Sequence, residues 1–206
     1  RLKGQGIPFQ INTTITRANK DTLDSLINFA ASIGACSLHL FMLVPTGCGK
    51  DIPEEDFLTA DEYETLLQEF HQASKNSPVP MKATCAPHYL RISALDNQTR
   101  PQGHGHHSAT RGCMAGEWIC FVSHSGEVYP CGYFPLSSGN VLDTPLTKIW
   151  QASPLFIELR DYAKLKGKCG ICEFKNICGG CRARAYAKTG DYLTEEPFCA
   201  YIPRRK

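Results

Sequence analysis

The chain has 206 residues, 42% of them hydrophobic, and a formal net charge of +2. That is enough apolar material for one sizeable core, or for one core and a small second unit. The near-neutral balance gives no electrostatic case for nucleic acid or an anionic membrane surface, no run of about 18 apolar residues offers a membrane span, and RLKGQGIPFQINTTI lacks the apolar centre of a signal peptide.

Residues 7–16 (IPFQINTTIT) read as a strand, with apolar and polar residues alternating from Phe9 to Ile15. Asn19 or Asp21 opens a helix whose Leu23, Leu26, Ile27 and Ala30 share a face, and Gly34 stops it. The run 36–44 (CSLHLFMLV) is almost continuously apolar, which suits a strand buried on both faces of a parallel sheet. Thr59 and Glu62 make a capping box before a helix that buries Tyr63, Leu66, Leu67, Phe70 and Ala73. Pro78 and Pro80 break it, and Val79 to Cys85 reads as a third strand. Connections of this length predict parallel strands with right-handed crossovers. Residues 1–100 are therefore expected to form part of an α/β sheet or barrel. Three parallel strands cannot close a barrel, so the chain reads as a piece of a longer one.

Residues 93–110 show no periodicity. Asn97, Pro101, Gly103 and Gly105 mark a linker, placed at 101–112, and His104, His106 and His107 read as a histidine-rich loop there. Residues 113–206 change style to short strands, glycine and cysteine. Trp118–Val122 and Glu127–Tyr129 flank Ser125-Gly126 as a hairpin. Thr144-Pro145 and Ser153-Pro154 each pair an N-cap with proline at the first helical position, predicting helices over 145–151 and 154–161. Arg182–Lys188 reads as a last helix, closed near Gly190.

Eleven cysteines are far above ordinary usage, and eight crowd into 113–199. An odd total with no secretory signal speaks against a disulfide framework and for metal ligation in a reducing cytoplasm. Thiolates take zinc or iron–sulfur clusters, and eight cysteines fill two four-cysteine sites. A zinc reading pairs Cys169/Cys172 with Cys178/Cys181, across a connector short for a zinc ribbon. C-type haem attachment is excluded, because Glu173 stands where the motif needs histidine after Cys172. Cys36 and Cys48 read as a buried apolar thiol and a loop thiol.

The pattern Cys113-x12-Gly126-x4-Cys131, then Cys169-x2-Cys172-x5-Cys178-x2-Cys181, then Cys199, resembles the SPASM extension of radical S-adenosylmethionine (SAM) enzymes. The family has three residues before the position of Cys181, where this chain has two. INTTITR, LVPTG, KATCAPHY, TRGCMAG, FVSHSGEVYPCGY, GKCGICE, CGGCRARAYAKTGDY and EEPFC are similar to the haem-biosynthesis branch of AhbD- and NirJ-like enzymes. The resemblance implies the last three strands of a partial (β/α)6 barrel followed by a Cys-rich SPASM module. It implies one or two auxiliary 4Fe-4S clusters, one on Cys113, Cys120, Cys131 and Cys181, the other on Cys169, Cys172, Cys178 and Cys199. In the whole enzyme it implies SAM and a third cluster, held by a C-x3-C-x2-C triplet that these residues do not contain. This stretch alone is expected to be inactive.

The activity so implied is radical removal of carbon dioxide from the propionates of an Fe-coproporphyrin, leaving vinyl groups, with electrons exchanged with a ferredoxin or flavodoxin. NirJ-like propionate removal, peptide modification, and a non-catalytic iron–sulfur or zinc module remain alternatives. Asn12, Thr14 and Arg17, at the carboxyl end of the first strand, are SAM-contact candidates, since ligands lie at that end of parallel sheets. Each is equally readable as a strand-end polar group. His88, Tyr89 and Arg111 are substrate-contact candidates. Arg182 and Arg184 read either as neutralising cluster charge or gripping propionates, or as a solvated helix face.

Overall fold

The computed structural model describes residues 2–96 and 111–204; the linker residues 97–110, including His104, His106 and His107, lie outside them. The first half is built as expected. Strands β1 (Gln10–Ile15), β2 (Ser37–Met42) and β3 (Met81–Thr84) form a parallel sheet in sequence order. Helices α1 (Leu23–Ile33) and α2 (Ala60–Lys75) are the crossovers. Gly34 closes α1 in the left-handed conformation that costs glycine nothing. The Thr59 hydroxyl caps α2 by accepting from the Glu62 amide, while the Glu62 carboxylate accepts from the Thr59 amide.

Three details differ. α1 begins only at Leu23, because Asn19 spends its side chain on the Thr16 amide and the Thr14 carbonyl, and a 3-10 turn follows it. β2 is not buried on both faces: Leu38, Leu40 and Met42 are buried, while Ser37, His39 and Phe41 are half-covered. Cys36 is exposed rather than buried, its thiol donating to the Phe9 carbonyl at 3.0 Å.

The buried face of the sheet joins α1 and α2 in one core that includes Ile15, Leu38, Leu40, Met42, Leu67 and Phe70. The opposite face carries a polar row in register, Asn12, His39 and Lys82, and beside it Thr14, Phe41 and Thr84. A further helix, α3 (His88–Leu95), follows β3 directly. The sequence hid it, because Pro87 precedes it and its buried residues include His88 and Arg91.

The cysteine-rich half has a second sheet. β4 (Phe121–Val122) and β5 (Glu127–Tyr129) make the expected hairpin, and β6 (Gly139–Asn140) adds an unexpected third strand on β5. Four short helices follow: α4 (Leu146–Ala152), α5 (Pro154–Arg160), α6 (Gly167–Ile171) and α7 (Arg182–Thr189). Pro145 is the N-cap of α4 rather than its first residue, whereas Pro154 does open α5. Phe198 packs against the sheet's core, stacked between Phe57 and Tyr63 at centroid distances of 6.2 and 6.3 Å.

Candidate metal centre

Cys169 lies in α6, and the turn that follows carries Cys172. The Cys178 amide donates back to the Phe174 carbonyl at 2.9 Å. Gly179 and Gly180, at φ 69° and 62°, then reverse the chain. Gly180 is required for space as well: a Cβ there would stand 2.9 Å from Glu196 Cβ and 3.2 Å from Cys169 Sγ. The reversal brings Cys169, Cys172, Cys178 and Cys199 around one pocket of about 380 Å³, counting the space at its mouth. A larger, more open groove between α1, α2 and α3 contains none of the cysteines.

The pocket is cationic. Arg91, Lys168 and Lys175 line it, and Arg182 Nη2 donates to Cys169 Sγ at 3.7 Å. Backbone amides also reach sulfur: Glu196 N to Cys169 and Phe174 N to Cys172, each at 3.4 Å. Burial pushes the Cys178 thiol up to about 12 and Cys199 to about 11, so a metal bound here would have to displace thiol protons. His88 faces the same pocket, 1% exposed, with neither ring nitrogen hydrogen-bonded. Burial lowers it to about 3, so the ring is neutral and keeps one N–H to donate. A buried donor without a partner costs about 1–3 kcal/mol, which an acceptor in this pocket would recover.

Beside the pocket runs a buried clamp. Arg184, fully buried, donates through Nε to Glu196 Oε1 at 2.8 Å, and to the carbonyls of Leu43 and Cys85 at 3.1 and 3.0 Å. Glu196 Oε2 accepts from the Cys181 amide at 2.7 Å. Burial raises the Glu196 carboxyl, but the Arg184 charge, the hydrogen bonds from Arg184 and the Cys181 amide, and the other groups around it together outweigh that and hold it at about 2. The clamp joins the ends of β2 and β3 to α7 and to both cysteine groups. Neither arginine lies on a solvated helix face, as Arg182 is 4% exposed and Arg184 0%.

Cys181 is buried, and Cys131 packs beside it with Phe134, Leu159 and Ala183. Cys113 lies near enough to both for their charges to interact. The Gly112 amide donates to Ile177 O at 2.8 Å and the Cys113 amide to Cys178 O at 3.2 Å, which lays Cys113 along the loop of the first pocket. Cys120 is not brought to these three. It packs with Val128, Ile149 and Phe156. The physical reason is strand alternation: Val122 pairs with Val128, and Cys120, two residues before Val122, falls on that side of the hairpin.

Among the described residues no three His, Cys, Asp or Glu side chains are grouped closely enough to hold a single metal ion. A zinc ion with Zn–S bonds of about 2.3 Å would draw four sulfurs to about 3.8 Å from each other. In an iron–sulfur cluster each thiolate binds its own iron, so the sulfurs stand farther apart around a shared core. The cationic lining and the unpaired His88 N–H of this four-cysteine pocket fit an anionic iron–sulfur cluster.

The remaining candidates are placed as follows. Asn12 and Thr14 are exposed on the open face of the sheet. Arg17 pairs with Glu62 at 3.0 Å and donates to the Glu55 carbonyl, bracing the start of α2. Tyr89 points its hydroxyl to His71 and Ser74 between α3 and α2, not to the cysteine pocket. Arg111 pairs with Glu117 at 3.1 Å and stacks on Tyr162. Cys48 is exposed in a 3-10 turn. Sequence reasoning missed His39, Lys82, Arg91 and Glu196. The alternation within CSLHLFMLV was the available signal for His39, Lys82 and Glu196 lie inside the motifs KATCAPHY and EEPFC, and nothing local marks Arg91.

Residues 113–182 match the family model described as the SPASM iron–sulfur cluster-binding domain. The chain is 46% identical to an AdoMet-dependent heme synthase of Methanosarcina barkeri, a match covering 100% of this chain and 59% of that protein. It is 27% identical to a pre-heme d1 synthase of Dinoroseobacter shibae, over 96% of this chain and 52% of that one. It thus spans little more than half the length of these relatives. Its fold is similar to that of Streptococcus suis SuiB solved with S-adenosylmethionine, at a TM-score of 0.64 and 15% identity, over 95% of this chain and 46% of that one. Among the described residues no helix is long and apolar enough to cross a membrane. A parallel sheet of three strands and a four-cysteine pocket thus accompany a SPASM iron–sulfur domain match over residues 113–182 and a likeness to AdoMet-dependent heme synthases that runs through the whole chain.

Proposed function

We propose that this chain carries the auxiliary 4Fe-4S clusters and half of the SAM-binding barrel of an enzyme that removes carbon dioxide from Fe-coproporphyrin propionates. The observation that carries the cluster reading is the pocket of Cys169, Cys172, Cys178 and Cys199 with its cations and the unpaired His88. A cluster bound there would supply one-electron chemistry. The protein's part is to hold it: four thiolates, the Arg182 and amide donors to sulfur, and His88 as an N–H donor to a sulfide or thiolate, which raises the reduction potential.

The open face of the sheet supports the substrate side. Asn12 and Thr14 are exposed on that face, which supports reading them as SAM contacts, and Lys82, in register with His39 and Asn12, would offer a cation to a propionate. Identity favours the decarboxylating reading over pre-heme d1 chemistry, 46% against 27%. Electrons would pass to or from a ferredoxin- or flavodoxin-like partner.

The test is the full-length protein, purified anaerobically, with SAM, a low-potential reductant and Fe-coproporphyrin. The expected result is iron and sulfide in the protein and vinyl-bearing products with released carbon dioxide. Zinc in place of iron refutes the cluster reading. Iron-loaded protein that leaves the propionates intact refutes the substrate.

A further inference from the structure

The cysteine spacing assigns no part to Cys85, which closes the third strand of the sheet rather than belonging to the cysteine-rich half. We propose that Cys85 is the fourth ligand of the cluster held by Cys113, Cys131 and Cys181, in the place that the spacing gives to Cys120. The inference rests on the iron–sulfur reading above.

The first observation is assembly. Cys85 packs in the same group as Cys131 and Cys181, alongside Val44 and Phe134. It is also close enough to Cys113 for their charges to interact. Four cysteines from four separate stretches thus converge beneath the carboxyl end of the sheet, matching the four thiolates a cluster takes. Cys120 faces the other side of the hairpin, against Val128 and Phe156.

The second observation is how Cys85 is held. At φ 56° it is, among the described residues, the one non-glycine residue in the left-handed region. Such a conformation is strained for a residue with a side chain and persists only where its surroundings impose it. Here they do: its carbonyl accepts from Tyr63 Oη and from Arg184 Nη2, both at 3.0 Å. Arg184 holds Glu196, and Glu196 holds the Cys181 amide. One buried clamp therefore sets the backbone of Cys85 and of Cys181 together. Ligation replaces the Cys85 S–H with an S–Fe bond, and the proton leaves to solvent. The cluster would then join the last strand of the sheet to the SPASM module.

The experiment is anaerobic reconstitution of the full-length protein as wild type, Cys85→Ala, Cys85→Ser and Cys120→Ala. Iron and sulfide are counted, and the reduced clusters are resolved by electron paramagnetic resonance and redox titration. Expected is loss of about four iron and four sulfide from Cys85→Ala, with one cluster signal gone and the others intact, and a wild-type count for Cys120→Ala. Full iron in Cys85→Ala with about four lost from Cys120→Ala overturns the proposal, as does full iron in both. If Cys85→Ala loses all iron and its fold, Cys85→Ser decides. A changed g-tensor or midpoint potential for one cluster supports ligation, and wild-type signals overturn it. Wild-type protein without iron would instead sink the cluster reading itself.

Discussion

The two halves of this molecule are held together by different means. The sheet half has a core of sixteen buried apolar residues drawn from two strands, three helices and the segments between them, with Met81 and Ala83 of the third strand packed against it. In the cysteine-rich half the buried apolar groups are smaller: Phe134, Leu159, Cys181 and Ala183 cluster with Val44 of the sheet half, and Val128, Ile149 and Phe156 form another. Cores that small do not hold a chain by burial alone, and metals commonly make up the difference. The first half is held by packing, and the second by what its polar groups and thiols grip. Between them lies the Arg184–Glu196 clamp.

Stripping the clusters by oxidation and chelation should expose this contrast most strongly. Hydrogen exchange is expected to show protection across 165–204 falling on the order of a hundredfold or more, with the amides of β1, β2 and α2 unchanged. Equal loss in both halves would mean that the module's metal also holds the sheet.

Glu196→Gln tests the seam. It leaves the fully buried Arg184 charge without a counter-charge, and the expected cost is about 3–5 kcal/mol in denaturant unfolding. A loss under about 1 kcal/mol would show that the clamp is incidental.

Acid should act on the same seam. With the Glu196 carboxyl held at about 2 against an ordinary 4.5, its contribution is complete above pH 4.5 and is lost as pH falls toward 2. The contribution amounts to roughly 3 kcal/mol. Melting between pH 6 and 3 should therefore steepen in the wild type relative to Glu196→Gln, and parallel curves would refute the assignment.

The smallest effect belongs to the sheet half. Thr59→Ala removes one side of the capping box and should cost about 1 kcal/mol, leaving iron content unchanged. A change in iron would mean that α2 is coupled to the metal sites.

These differences follow from how far apart in the chain the partners lie. Caps, strand alternation and helix faces are set by residues within a few positions of one another, so the three strands, α1, α2 and the Thr59–Glu62 box were legible without a structure. The grouping of Cys169, Cys172, Cys178 and Cys199 came from the family resemblance rather than from spacing alone, and the structure lines one pocket with all four. α3 was hidden, since its buried residues include His88 and Arg91, and buried polar groups mimic a surface pattern. β6 is two residues long, and only pairing with β5 makes it a strand. Arg184 finds Glu196 twelve residues away and Leu43 far upstream, which local pattern cannot foretell.

The other group of cysteines marks the same limit. Composition and spacing point to metal ligation by thiols, and the motifs carry the likeness to the SPASM iron–sulfur domain. Spacing counts residues, however, and does not say which side of a hairpin a side chain takes. Strand alternation sets Cys120 apart from Cys131, while the turn after β3 delivers Cys85, 28 positions before Cys113, to the same place. Only the tertiary structure shows that convergence, on which the proposed ligand set rests, because residues far apart in the chain meet only when it folds.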